Sequence, residues 1–378
     1  MSRSVWPARL AVLLTGGATV ALIAAPAQAA STGVASVDGT TKVQYKAATG
    51  KQNRVVLTRT GNTITIDDVV AVKAGKGCKA VKGDKTKTMC TTSKAPTRIR
   101  VYTYDRNDIV TNNTDVWSAL DGGTGNDKLL GGARGDRLTG GAGVDRLHGL
   151  GGNDYFLGGP GGDLLNGGAG NDTVHGESGN DVILGETGDD DLFGETGNDR
   201  MHGGAGNDTL MGYAGRDRLY GDAGFDRLSG DENDKNVSAD ILMGGDGEDW
   251  VNYGSYMKGV RVDLDGASGD DGRPGEGDTV GADVEVIQGS YAGDTLIGNA
   301  SANYIHGDVG NDTIYGLGGD DTLFGSSGND KVYGGAGDDT LEGDEEPRTA
   351  DRLDGGANGT AGDTCRAYKG DTRVNCER

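Results

Sequence analysis

The chain has 378 residues, 72 of them glycine, with 34% apolar and only 5% aromatic residues and a formal net charge of −22. So much glycine with so few aromatics suits an unstructured polymer unless a strict period organises it. The acidic balance excludes direct binding to nucleic acid or an anionic membrane surface and favours divalent cations.

Residues 1–29 read as a secretory signal. Arg3 and Arg9 supply the positive end, residues 10–25 the apolar stretch, and Ala27, Gln28 and Ala29 a small-residue cleavage site. Thr15, Gly16 and Gly17 interrupt the apolar run and Pro26 follows it, which argues against a retained anchor. The mature chain is expected to begin near Ala30, outside the cell, with no membrane span. Four cysteines fall into two local pairs, Cys78 with Cys90 and Cys365 with Cys376. An exported chain with an even count favours two disulfides, each worth roughly 3 kcal/mol in the chain-entropy model. Zinc ligation does not fit, because the spacings are wrong and no histidine lies near either pair.

Residues 30–118 carry a net +8 against −32 for residues 119–378. β-Strand patterns occur at 43–45, 54–59, 63–66 and 98–104, with a turn at Gly61 and Asn62. This segment is either a small β-domain or a set of irregular rungs capping the rest of the chain. Val101, Val110, Leu120 and Leu129 already approximate a nine-residue beat, with Asp108 two residues before Val110. Its basic residues either coat a solvated surface or contact the acidic region or an anionic cell-surface or matrix polymer.

Within 119–252 the beat becomes strict. Twelve nine-residue units run in phase from Gly122, beginning GGTGNDKLL, GGARGDRLT and GGAGVDRLH. Aspartate holds the sixth place in all twelve: Asp127, Asp136, Asp145, Asp154, Asp163, Asp172, Asp181, Asp190, Asp199, Asp208, Asp217 and Asp226. The eighth place is always apolar, from Leu129 to Leu228. Glycines at the first, second and fourth places suit a six-residue turn. Places seven to nine then form a short strand whose eighth side chain points inward. With two units per circuit, residues eighteen apart stack. Asp127, Asp145 and Asp163 then share one column, and the intervening aspartates another. Carboxylates ~4.8 Å apart repel unless a cation sits between them.

These units resemble the RTX (haemolysin-type calcium-binding) nonapeptide G-G-x-G-x-D-x-U-x, a signature of the parallel β-solenoid. The resemblance implies an all-β parallel β-roll with an N-terminal β cap or small β-domain. It also implies Ca2+ between successive turns, held by the aspartates and by carbonyls of the glycine turns. With one apolar residue per unit the core is thin, so folding is expected to lean on the metal.

Some units depart from the pattern. Arg134 takes a fourth place, predicting a looser turn. Glu177, Glu186 and Glu195 take second places, where they either supplement metal binding or are solvated. His148, His175 and His202 fall on alternating faces at outward ninth places and read as surface residues. After Ser229 a longer unit carries Asp240 and Leu242 in the usual roles, followed by Asp249 and Val251. Residues 253–288 read as an insertion, with a strand at Val260, Val262 and Leu264 and then an acidic loop. Its Asp263, Asp265, Asp270, Asp271, Glu276 and Asp278 either hold a further ion or are solvated. The second block, 289–378, places Asp294, Asn303, Asp312, Asp321, Asp330 and Asp339 at the sixth position. Asn303 breaks the carboxylate series and is expected to weaken a site shared with Asp321. The Cys365–Cys376 loop closes the C-terminal cap.

No H-E-x-x-H or G-x-S-x-G motif is present, and the non-repeat N-terminal segment has fewer than 100 residues. The expected function is a secreted, non-enzymatic calcium-binding β-solenoid that binds on the order of a dozen ions. The alternatives are a calcium-rigidified cell-surface or matrix adhesin, and an enzyme with its site in the N-terminal segment or the 253–288 loop.

Overall fold

Every eighth-place side chain from Leu129 to Leu228, and from Leu296 to Leu341, is fully buried. With two such residues per circuit, that burial requires consecutive circuits to stack. The computed structural model describes residues 32–231, 238–343, 349–359 and 361–377, and it is a parallel β-solenoid of about 15 turns. Residues 1–29, expected from the sequence to be a secretory signal, lie outside the described residues. Among the described residues none is helical, and no helix is long and apolar enough to cross a membrane.

The register is set by the eighth place. On one face Leu147 lies opposite Leu165, Leu165 opposite Ile183, and Ile183 opposite Met201. On the other, Leu138, Phe156, Val174 and Leu192 stack in the same way. Each partner is eighteen residues away, so two nonapeptides make one turn.

The strands are longer than the three residues expected. Within the first block most have six, as in Thr173–Ser178 and Val182–Thr187, and reach the third place of the next unit, whereas Thr295–Ile297, Tyr304–His306, Thr322–Phe324 and Thr340–Glu342 in the second block keep three. The turns themselves stack, so their amides join the ladder. Gly143 N–H donates to the Pro160 carbonyl at 2.9 Å, and Gly179 N–H to that of Thr196 at 2.8 Å. Backbone groups in the turn are thereby satisfied by the neighbouring circuit rather than by water.

Both faces continue into the N-terminal segment. Lys42–Lys46 runs parallel to Arg98–Tyr102, which pairs with Ser118–Thr124. Arg54–Thr60 runs parallel to Ile109–Asn113, which pairs with Lys128–Leu130. Antiparallel strands then cover the end. Gly33–Asp38 folds back on Lys42–Lys46, and Thr63–Asp67 turns at Gly61 and Asn62 to pair with Arg54–Thr60. Asp84–Thr91 follows, with Cys78–Val81 beside it and Cys78 bonded to Cys90. Cys365 is bonded to Cys376 at the far end.

The insertion acts as a splice. One face is continuous through Trp250–Asn252 and Val286–Gln288 to Thr364–Arg366. The other divides in two. Thr279–Val280 ends the first sheet against Ile241–Gly247, and Arg261–Asp263 begins a new one against Thr295–Ile297. The strand expected at Val260, Val262 and Leu264 is only Arg261–Asp263, although all three apolar residues are buried. Tyr253 and Tyr256 join them in the core.

Candidate metal centre

The sixth-place aspartates are buried, not solvated: each from Asp127 to Asp226 is at most 3% exposed. The turn draws the side chain under the first-place glycine of its own unit, where there is no room for a Cβ. A Cβ on Gly158 would stand 2.8 Å from Asp163 Oδ2, and one on Gly176 would stand 2.5 Å from Asp181 Oδ2.

Each carboxylate has two unlike oxygens. Oδ1 accepts the backbone N–H of the aspartate one circuit earlier. Asp127 thus donates to Asp145, Asp145 to Asp163, and Asp163 to Asp181, each at 2.7 Å. The ladder continues through Asp199 and Asp217 to Asp240 and ends on Asp278. The opposite column runs from Ser118 through Asp136, Asp154, Asp172, Asp190, Asp208 and Asp226 to Asp249, whose N–H meets Glu285. In the second block Asp294, Asp312, Asp330 and Asp351 form one column, and Asn303, Asp321, Asp339 and Asp363 the other.

Oδ2 is the atom that points to a metal. It is buried with no hydrogen-bond partner in Asp127, Asp145, Asp154, Asp163, Asp172, Asp181, Asp190, Asp199, Asp208, Asp217 and Asp226. The same holds for Asp312, Asp321 and Asp339, for Asp240 and Asp249 of the longer units, and for Asp363, which the sequence did not single out. A buried acceptor left unmade costs ~1–3 kcal/mol, and more when charged. Burial, with neighbouring carboxylates adding to it, pushes the carboxyls of Asp154, Asp217 and Asp312 up to about 8 and that of Asp240 to about 9. The backbone amides only partly offset this.

Two candidate ligands differ. Asp136 spends Oδ2 on the Gly132 N–H at 2.6 Å, because the turn bearing Arg134 breaks the strand pairing between Leu130 and Arg137. Asp294 gives both oxygens to Ser290 and Val260. Asn303 accepts from Asn299 N–H at 2.8 Å and still donates its own N–H to Asp321.

A second ladder escaped the sequence reading. Fifth-place Asn side chains accept the N–H one circuit later, as Asn180 does from Asn198 at 2.8 Å and Asn198 from Arg216 at 2.8 Å. Its signal is the recurring Asn-Asp pair. The second-place glutamates face outward: Glu186 accepts from Asn166, and Glu195 lies 3.0 Å from His175 Nδ1. His202 pairs likewise with Asp222.

A family model described as RTX calcium-binding nonapeptide repeat (4 copies) matches residues 121–156, 157–192, 193–228, 237–255, 280–314, 288–323 and 315–346, just over half of the chain. The chain belongs to the RTX nonapeptide-repeat family. No curated protein sequence matches it. The RTX turns present only oxygen donors, which suits a hard cation in adaptable coordination and makes calcium the fitting ion.

Proposed function

We propose that this RTX chain is a secreted β-roll that folds on binding Ca2+ outside the cell and catalyses nothing itself. The unpartnered Oδ2 atoms carry the reading. Successive carboxylates such as Asp154 and Asp172 would hold an ion between their turns, with glycine-turn carbonyls completing its shell. Asp136 and Asp294, whose oxygens all accept hydrogen bonds already and are not left unanswered, would gain least from the ion. On the order of a dozen divalent ions would offset about three quarters of the −32 of residues 119–378. Extracellular calcium modules work at roughly 10⁻⁴–10⁻³ M, so the chain would stay expanded before export and fold after it. Residues 30–118 would serve as the cap that keeps open strand edges from pairing with other chains. Circular dichroism of the mature chain against calcium tests this.

A second reading, a calcium-rigidified adhesin, draws support from one surface. Arg98, Arg100 and Arg137 line a depression of about 560 Å³ with Trp117, Tyr102 and a single carboxylate, Asp121, and the Arg98 guanidinium stacks 4.5 Å from the Trp117 ring. Such a surface suits an anionic cell-surface polymer. Retention on washed producing cells, lost on Arg98→Ala with Arg100→Ala, would favour it.

A further inference from the structure

The insertion contains an acidic cluster that owes nothing to the nonapeptide. One carboxylate oxygen from each of Asp263, Asp270 and Asp271 lies within 4.8 Å of the other two. Asp263 ends the short strand that opens the second-block sheet, and its side chain is 6% exposed. The Arg261 guanidinium holds its Oδ2, while Oδ1 is buried without a partner. Asp271 is fixed in place by two amides: Asp263 N–H donates to Oδ1 at 2.7 Å, and Val280 N–H to Oδ2 at 2.9 Å. Each of those oxygens keeps a second lone pair. Asp270 is exposed and stands at the mouth.

Asp265 also presses on the Asp263 carboxylate and adds a further negative charge beside it, whereas the buried Glu276 and Asp278 are occupied elsewhere. Tyr256 and the Arg273 N–H bond to Glu276, while Tyr253 and the Asp240 N–H bond to Asp278. One guanidinium cannot balance three converging carboxylates, and it leaves the buried Asp263 Oδ1 unanswered. We infer that Asp263, Asp270 and Asp271 form a separate calcium site that fastens the insertion at the junction of the two repeat blocks. Three carboxylates and an open mouth for water give a hard cation the irregular, all-oxygen shell that calcium accepts and magnesium resists. The ion would tie Asp263, on the first strand of the new sheet, to Asp271, whose backbone bridges Asp278 at the end of the first ladder. This site shares its cation with the turns but none of their residues.

Crystals of the mature chain grown in calcium, with anomalous difference maps, test the site directly. Density bridging Asp263 Oδ1, Asp270 and Asp271 is expected. Its absence, with ions present in the turns, overturns this inference alone; density here with none in the turns overturns the calcium-roll reading alone. Native mass spectrometry supplies a second arm. Asp270→Asn, a change at an exposed side chain outside every ladder, should carry one ion fewer than the wild type at the same free calcium. An unchanged ion count overturns the site.

Discussion

The backbone N–H of Asp154 donates to Oδ1 of Asp172 at 2.7 Å, while Oδ2 of the same carboxylate is buried and unpartnered. One side chain therefore does two separable jobs, turn-to-turn hydrogen bonding and cation binding. Asp172→Asn keeps an acceptor for Asp154 but removes the charge. It should raise the calcium midpoint with little loss in residual structure without metal. Asp172→Ala removes both and should cost a further ~1–3 kcal/mol, whereas Thr173→Ala at the neighbouring outward position should barely move the midpoint. Calcium titrations of the three variants check this; equal effects of Asp172→Asn and Thr173→Ala would contradict it.

Asn303 occupies a ladder position whose neighbour Asp321 retains a free Oδ2. Asn303→Asp should raise the calcium-bound melting temperature by adding a carboxylate opposite that oxygen. Calorimetry at saturating calcium reads the shift, and no change would mean that this turn holds no ion.

The pH dependence has a definite sign. Without metal, burial raises the ladder carboxyls from an unfolded value of about 4 to about 6 in Asp127 and Asp199, about 7 in Asp181 and Asp190, and about 8 in Asp217. The folded chain then binds more protons than the unfolded one. Its metal-free stability is complete below about pH 4 and is lost as pH rises through about 6 to 8. Metal-stripped protein should therefore gain β-structure on acidification from about pH 8 to about pH 5. Calcium must displace the same protons, so its midpoint should rise about tenfold or more over that interval. Circular dichroism at fixed ionic strength measures both, and acid-induced loss of structure in the metal-free chain would contradict the assignment.

Leu150 and Leu317 sit at second places with φ of 77° and 75°, both largely exposed. Left-handed backbone strains a branched side chain by ~1–3 kcal/mol, so Leu150→Gly should stabilise the calcium-bound roll by about 1 kcal/mol. The first place has the opposite requirement. Gly176→Ala would drive a Cβ to 2.5 Å from Asp181 Oδ2 and 2.9 Å from the Gly194 carbonyl, and should destabilise strongly. Denaturation midpoints in calcium compare the two.

Much of this was legible in the sequence because the period is local and strict. Leu147 stacks on Leu165, and Asp145 lies over Asp163, because eighteen residues close one circuit whatever lies between. Four strands of the N-terminal segment and its bonded cysteines were also legible, since alternation and pairing signals are short-range, but Gly33–Asp38, Val72–Ala74, Cys78–Val81 and Asp84–Thr91 were not. What escaped depends on contacts between circuits. The Asn180–Asn198 ladder and the six-residue strands arise from amides that meet only when turns stack. The extra hydrogen bond on Asp136 Oδ2 comes from the shape that the Arg134 turn gives the Gly132 amide. The splice by Thr279–Val280 and Arg261–Asp263 joins strands that no local pattern pairs.

The central claim is that calcium drives folding of the repeats. The direct measurement is far-ultraviolet circular dichroism of the mature chain, titrated with calcium from chelator excess and then reversed by chelator. An expanded, β-poor chain is predicted without metal, with a cooperative, reversible gain of β-structure between roughly 10⁻⁴ and 10⁻³ M. A fully folded and equally stable chain in excess chelator at about pH 8 would contradict it, leaving the buried aspartates as turn-forming acceptors alone.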